Sequence, residues 1–340
     1  MQSLGKSFTL ARSLSPSELE FKWITEEKRY LTLTNYSTYL VNINRLLMWK
    51  EIRGGKEFLD QEEIKYLPLA KKGKLFKSWI ESYGKDMTSL DLRGIGLTFL
   101  PFEIAQLPRL QALHLNNNQL TSLPAEIGQL LQLQTLDLTD NHLSTLPSEI
   151  GQLSQLKRVD LDHNQLTFLP AEIRLLSQLQ LLRLPKNQLA TLPIGIGQLL
   201  QLQELDLKSN PLTALPAEIG QLSNLKALWL QSNHLTVLPA EIGYLSGLQE
   251  LDLCDNQITT LPAEIGQLSQ LEKLYLKNNQ LTTLPAEIGR LSKLQDLDLN
   301  NNQITSLPIE MKGLTALKKL QVNENPLQSI PDEIKRRFRL

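Results

Sequence analysis

The sequence predicts an α/β solenoid, with parallel strands stacked edge to edge on one continuous core, preceded by a mainly helical module. Three observations predict it. A 23-residue unit recurs about eleven times over residues 87–340, and its asparagine falls on Asn118, Asn141, Asn164, Asn187, Asn210, Asn233, Asn256, Asn279, Asn302 and Asn325, always 23 apart. Around each asparagine the chain reads L-x-x-L-x-L-x-x-N-x-L and then L-P-x-x-I-x-x-L, as in Leu110, Leu113, Leu115, Asn118, Leu120, Leu123, Pro124, Ile127 and Leu130. Residues 1–86 lack this period and hold three of the four Trp and five of the seven Tyr. A repeat this regular builds a long, edge-stacked surface rather than an enclosed pocket.

With Leu110 as position 1 of a unit, each element has a reason. The L-x-L at positions 4 and 6 alternates with period two and reads as a short strand. Leucines at positions 1, 4, 6, 11, 14 and 21, with isoleucine at 18, point inward; one unit alone cannot bury them, and stacked neighbours can. The asparagine at position 9 stands where the chain leaves the strand. Its amide both donates and accepts, so the ten asparagines are expected to form a buried ladder with backbone groups of their own and adjacent turns. Proline at position 15 fixes φ and lacks an N–H, so the return segment opens as a turn. The A-E-I-G that follows has room for one helical turn, with Gly128 and its equivalents as the stop. Arg174 replaces this glycine in one unit and predicts a locally different turn. The ends depart from the pattern: Ile95 stands where the first unit's asparagine belongs, and Lys335, Arg336 and Arg337 form a basic stop suited to the end of a helical turn.

The front segment, residues 1–86, reads as a helical domain and cap. Ser15-Pro16-Ser17-Glu18 is a capping box with proline at the first helical position, followed by a stripe of Leu19, Trp23, Tyr30 and Leu31. A second helix is expected from about Ser37, carrying Leu40, Ile43, Leu47 and Trp49, and broken by Gly54-Gly55. Asp60 and Glu63 repeat the capping signal. A last helix, about Lys74 to Tyr83, places Leu75, Trp79 and Tyr83 on one face, ends at Gly84 and is expected to cover the open edge of the first repeat. Tyr30 to Thr34 also has strand character.

The motif of residues 87–340 resembles the leucine-rich repeat family, and more narrowly its 23-residue L-P-x-x-I-G-x-L class, found in intracellular Ras-suppressor-type proteins and in repeat proteins of host-associated bacteria. The resemblance implies a horseshoe-shaped solenoid whose concave parallel sheet binds proteins. A helical module ahead of such repeats also resembles the layout of F-box substrate receptors, although the L-P that opens an F-box is absent. Bacterial ubiquitin ligases of this family carry a catalytic cysteine in a separate domain. Cys254 instead occupies a strand exit, which predicts a half-buried thiol rather than a nucleophile.

Bulk composition excludes several classes. Net charge is −1, which makes no electrostatic case for nucleic acid. One cysteine forms no disulfide framework within the chain. No stretch approaches the ~18 apolar residues of a membrane span, and residues 1–20 lack the apolar core of a secretory signal. Gly5-Lys6-Ser7 lacks the first glycine of a phosphate loop, and Gly94-Ile95-Gly96 and Gly195-Ile196-Gly197 lack the third glycine of a dinucleotide loop. His142 and His163, near Asp140 and Asp162, are read as solvated polar residues, as are His114 and His234. The expectation is a chain with no catalytic centre, metal or cofactor.

Position 5 projects from the middle of the sheet and reads Asp91, His114, Asp137, Asp160, Arg183, Asp206, Trp229, Asp252, Tyr275, Asp298, Gln321. At a strand spacing of ~4.8 Å this column runs about 50 Å. Position 3 adds Arg158, Leu181, Glu204, Glu250 and Lys273, and position 7 adds Asp162, Lys208 and Lys277. Arg, Trp and Tyr are the residues most enriched at binding hot spots. A solvent-facing Trp229 and Tyr275 are therefore expected as anchors, with Arg158, Asp160, Arg183, Asp206, Asp252 and Asp298 setting register. The function expected is that of a monomeric, cytoplasmic scaffold for a protein partner; for a bacterial source, an effector exported to a host cytosol without a cleaved signal. The alternative is a ubiquitin-ligase adaptor docked through residues 1–86.

Overall fold

The computed structural model describes residues 33–338, with side chains from residue 40 onward. The Ser15 capping box and the Leu19 to Leu31 stripe lie outside the described residues. The chain divides into two compact units, Met1–Leu143 and Ser144–Leu340.

Among the described residues the first unit holds four helices ahead of its strands: α1 (Leu33–Glu51), α2 (Gly55–Leu59), α3 (Glu62–Lys65) and α4 (Leu69–Tyr83). Helix α1 begins ahead of Ser37 and takes in Leu33 and Thr34, which had strand character. A β-branched residue costs a helix only a few tenths of a kcal/mol, which packing overrides. Gly54, at φ 82, separates α1 from α2. Asp60 does not cap a following helix; it closes α2, and α3 starts after Gln61 with no side-chain cap. Helix α4 starts at Leu69, directly after Pro68, rather than near Lys74. Its buried face is Leu69, Phe76, Trp79 and Ile80; Leu75 is only half-buried, and Tyr83 is 67% exposed while stacking on Trp79 at 5.0 Å. Trp49 joins the helices, its ring centroid 5.2 Å from Phe76 and 5.6 Å from Trp79.

Strands β1 (Ser89–Asp91), β2 (Ala112–His114) and β3 (Thr135–Asp137) follow, paired in parallel in that order. Both α1 and α4, not α4 alone, cover the first repeat. Gly84 at the end of α4 lies against Leu107, where a Cβ would come within 2.5 Å of that leucine's Cδ2. From α1, Asn44 Oδ1 accepts from the N–H groups of Thr98 at 2.9 Å and Phe99 at 3.4 Å. Its amide thus serves backbone groups of the first repeat. Arg45 reaches the fully buried carboxylate of Glu103 at 2.6 Å.

The second unit stacks eight strands in parallel and in sequence order: β4 (Arg158–Asp160), β5 (Leu181–Arg183), β6 (Glu204–Asp206), β7 (Ala227–Trp229), β8 (Glu250–Asp252), β9 (Lys273–Tyr275), β10 (Asp296–Asp298) and β11 (Lys319–Gln321). The register advances by one repeat per strand, so Asp206, Trp229, Asp252 and Tyr275 lie side by side. On the other side, each proline carbonyl accepts the first bond of a five-residue 3₁₀ turn such as Ala217–Gln221, closed by Ile219 N to Pro216 O at 3.1 Å. The inward leucines and isoleucines are buried in both units, except in the last repeat, where Leu320, Leu327 and Ile330 are half-buried.

The asparagine side chains bond the backbone. Asn210 Nδ2 donates to Leu207 O and Lys208 O of its own repeat and to Leu184 O of the preceding one, at 3.0, 3.2 and 3.0 Å, while Oδ1 accepts from Leu189 N at 3.1 Å. The pattern recurs at Asn187, Asn233, Asn256, Asn279 and Asn302. The residue just before each asparagine has φ between 52° and 60°, from Asn117 to Glu324. This left-handed step turns the amide inward.

The recurrent glycine of the turn does not act as a stop. It lies inside the 3₁₀ turn, and its role is close approach: a Cβ on Gly220 would sit 2.4 Å from Glu241 O, and one on Gly243 2.5 Å from Glu264 O. Arg174 does not distort its turn, which spans Ala171–Leu175 like the others. The next repeat makes room, because Gly195 replaces the usual glutamate, and a Cβ there would meet Arg174 Cβ at 3.0 Å. At the far end, helix α5 (Asp332–Phe338) places the Arg337 guanidinium on the carbonyls of Leu314, Thr315 and Leu317 at 2.8–3.0 Å.

Candidate interaction face

In residues 144–340 the sheet carries position 3 and 5 side chains on its open face. Two clusters form there. Arg158 and Arg183 both face Asp160, and Arg183 also reaches Glu204 at 3.5 Å. Next along, Lys208 Nζ lies 3.6 Å from Asp206 Oδ2 and 5.1 Å from the centroid of the Trp229 ring. Trp229 Nε1 donates to Glu250 Oε1 at 2.9 Å, and Lys273 Nζ donates to Glu250 Oε2 at 2.9 Å. Trp229 is therefore not the free, solvent-facing ring expected; it is half-buried and held on its face and its edge. Tyr275 is also half-buried, and among the described residues its hydroxyl has no hydrogen-bond partner.

Most of the aspartates at position 5 have a local task. Oδ1 accepts the N–H two residues on: Lys208 N to Asp206 at 3.2 Å, Cys254 N to Asp252 at 3.0 Å and Asn300 N to Asp298 at 2.9 Å. This is the Asx turn, and it ends the strand. Burial raises the carboxyls of Asp206 and Asp252 above their ordinary value of 3.8, with their backbone bonds and Lys208 opposing. Burial acts on Glu250 in the same direction, but bonds from Lys273 and Trp229 outweigh it and hold that carboxyl below its ordinary value. Cys254 is half-buried, and burial together with Asp252 raises its thiol far out of the range of a reactive thiolate. His163 pairs with Asp162 at 2.8 Å and Lys186 at 2.6 Å, and among the described residues no group of three or more His, Cys, Asp or Glu is placed to hold a metal.

Comparison with known proteins gives this geometry a family. Residues 102–184 match the model of a leucine-rich repeat region, and residues 200–258, 223–281 and 269–327 match that of the leucine rich repeat. A leucine-rich repeat protein of Leptospira interrogans is 35% identical over 81% of this chain and 88% of its own, with a TM-score of 0.47. The chain belongs to the leucine-rich repeat family. Its repeats are also similar to the crystal structure of a TDR receptor, at 30% identity over 74% of this chain and a TM-score of 0.67, where they span 46% of the receptor chain. They are similar as well to a chain in an octameric complex of Latrophilin 3, Unc5D and the leucine-rich repeat of FLRT2, at 26% identity, 71% and 76% coverage and a TM-score of 0.59. No curated protein matches the chain.

Of the side chains this leucine-rich repeat protein was expected to present, the structure brings Arg158, Asp160 and Arg183 together, and joins Asp206 to Trp229 through Lys208. Asp252 and Asp298 serve their own strand exits. Glu250 and Lys273, noted only as flanks, hold the tryptophan's edge. A cross-strand Glu–Lys pair beside an aromatic, one repeat apart, was the signal for them. The aspartate task has a direct test. Asp252→Asn keeps the acceptor and removes a charge that burial disfavours, whereas Asp252→Ala leaves Cys254 N–H unmet. The alanine variant is expected to lose about 0.5–1.5 kcal/mol. A raised folded-state value stabilises below the ordinary 3.8 and loses that advantage as pH rises. The asparagine variant should therefore equal or exceed wild type at pH ~7, its gain shrinking in acid. Denaturant melts at two pH values check both statements; an asparagine variant as unstable as the alanine one contradicts them.

Proposed function

We propose that this chain is a non-enzymatic protein-interaction module that seats a protein partner on the open sheet face of residues 144–340, centred on Trp229 and Tyr275. The observation that carries the reading is a large aromatic fixed where the core needs none. Lys208 holds the Trp229 ring and Glu250 holds its N–H, so little side-chain freedom remains to be lost on binding. Tyr275, two strands along, adds an apolar ring and a hydroxyl open to a partner. The FLRT2 leucine-rich repeat occurs in an octameric complex with other proteins, which supports the same use of the fold. Among the described residues no helix is long and apolar enough to cross a membrane. The reading takes the chain as a monomer of the 23-residue class acting in a cytosol, a host's where the source is bacterial. The contacts of Asn44, Arg45 and Gly84 with the first repeat favour a capping role for α1 and α4 over a free ubiquitin-ligase docking module.

The test is capture of a partner by the full chain, followed by affinity measurement. A buried aromatic anchor contributes about 2 kcal/mol or more when truncated. Trp229→Ala combined with Tyr275→Ala is therefore expected to weaken binding at least ~10-fold, with circular dichroism unchanged. Glu218→Ala with Glu264→Ala, on the turn side, serves as control. Loss of binding in the control pair, with binding retained in the aromatic pair, places the interface on the wrong face.

A further inference from the structure

The turn side carries one departure that the sheet face does not explain. In residues 144–340 seven of the eight 3₁₀ turns present a glutamate at the second residue: Glu149, Glu172, Glu218, Glu241, Glu264, Glu287 and Glu310. The run breaks once, at Gly195. In the same place the preceding repeat carries Arg174 where the others have glycine or, in the last, Lys312. The Arg174 stem lies across Gly195: a Cβ there would be 3.0 Å from Arg174 Cβ and 3.3 Å from its Cδ. Packing accounts for that pair, but not for the exposed apolar side chains on the same two turns and just after them. Ile194 is 71% exposed, Leu200 53% and Leu175 47%. Apart from Ile309, the corresponding turns of this unit begin with alanine or serine, and glutamine is the commonest residue at the place of Leu175. Arg174 is exposed and, among the described residues, has no ion-pair partner.

We propose that Arg174, Leu175, Ile194 and Leu200 form a second docking site, for a short segment of another protein in which one carboxylate sits between aliphatic side chains. Charge complementarity selects that chemistry. Arg174 offers a guanidinium fork, which pairs two parallel N–H groups with a carboxylate. Glu172 and Glu218 flank the break and repel further acid, so the partner's negative charge is confined to the residue facing Arg174. A docked segment that covers the three exposed apolar side chains excludes water beside the pair, which strengthens it. A second copy of this chain is a poor occupant: four side chains fall far short of the ~800 Å² per partner of a stable interface.

The test uses the full chain and a phage-displayed library of random dodecapeptides, counter-selected on the Arg174→Gln, Ile194→Ser double variant. Both side chains are exposed and Gln keeps the Cβ that packs on Gly195, so the variants are expected to keep the wild-type melting temperature, which is measured first. Retained peptides, resynthesised with a fluorescein label, are measured by anisotropy. The expected result is a single Asp or Glu among Leu, Ile or Val. Affinity should fall at least ~10-fold with Arg174→Gln, with Ile194→Ser, or with the peptide's acid changed to its amide, and should be unmoved by Trp229→Ala. Selection of basic or uncharged peptides, affinity insensitive to Arg174, dependence on Trp229, or no peptide preferring wild type over the double variant each overturns the proposal.

Discussion

Asn210→Ala is expected to lower the stability of the array by about 1–3 kcal/mol. Each buried polar group left without a partner costs ~1–3 kcal/mol, and this substitution strands one, the N–H of Leu189. The carbonyls of Leu184 and Leu207 lose one of their two amide donors and keep the other, from Asn187 and Asn233. Asn210 is itself only 3% exposed, so water has no route to replace it. The loss also falls on the interface between two repeats, the interaction by which solenoids cohere. Chemical denaturation with a midpoint and slope equal to wild type would show that the ladder contributes nothing. A broadened transition would show instead that the array separates at this repeat.

Gly243→Ala is expected to cost about 1–3 kcal/mol, the usual penalty for an extra carbon forced into a packed interior. The new Cβ would lie 2.5 Å from Glu264 O, a backbone atom fixed by its own turn. That penalty outweighs the ~0.4–1 kcal/mol which alanine gains by restricting the unfolded chain. The same contact makes Arg174 and Gly195 a matched pair. Gly195→Glu alone should destabilise, because its Cβ meets Arg174 Cβ. Adding Arg174→Gly restores the arrangement of the other repeats and should recover most of the loss. A double-mutant cycle measures the coupling; additive effects would rule out steric matching.

How far the fold and the face were legible depends on how each residue does its work. The inward leucines were legible because a side chain's direction follows from its place in the repeat, and eleven copies state that place redundantly. The ladder was legible because an amide at a strand exit has few other uses. The left-handed residue before it was missed: Lys186, Ser209, Ser232 and Glu324 obscure the signal that Asn117, Asp140, Asp255, Asn278 and Asn301 carry. Asparagine and aspartate tolerate that region best. The turn glycine was legible as a requirement but given the wrong cause, since a stop and a close approach both select glycine. In the helical segment the aromatic stripe identified Trp79 correctly and Tyr83 wrongly, because the face of a helix that is buried is set by what packs against it.

The sequence by itself determined the architecture: the solenoid, its parallel strands, its core positions and the buried asparagines. A 23-residue period reports where each residue stands within its own repeat, and hydrophobic burial does the rest. The tertiary structure alone decided which polar groups on the sheet face are already engaged. Asp252 turns back to its own strand exit, Trp229 is held from the repeats on either side by Lys208 and Glu250, and among the described residues Tyr275 keeps its hydroxyl unengaged. These are contacts between neighbouring repeats, made through particular side-chain rotamers across distances of a few ångströms. A period is blind to them, because it records the same position in every copy while the contact depends on which two residues happen to meet.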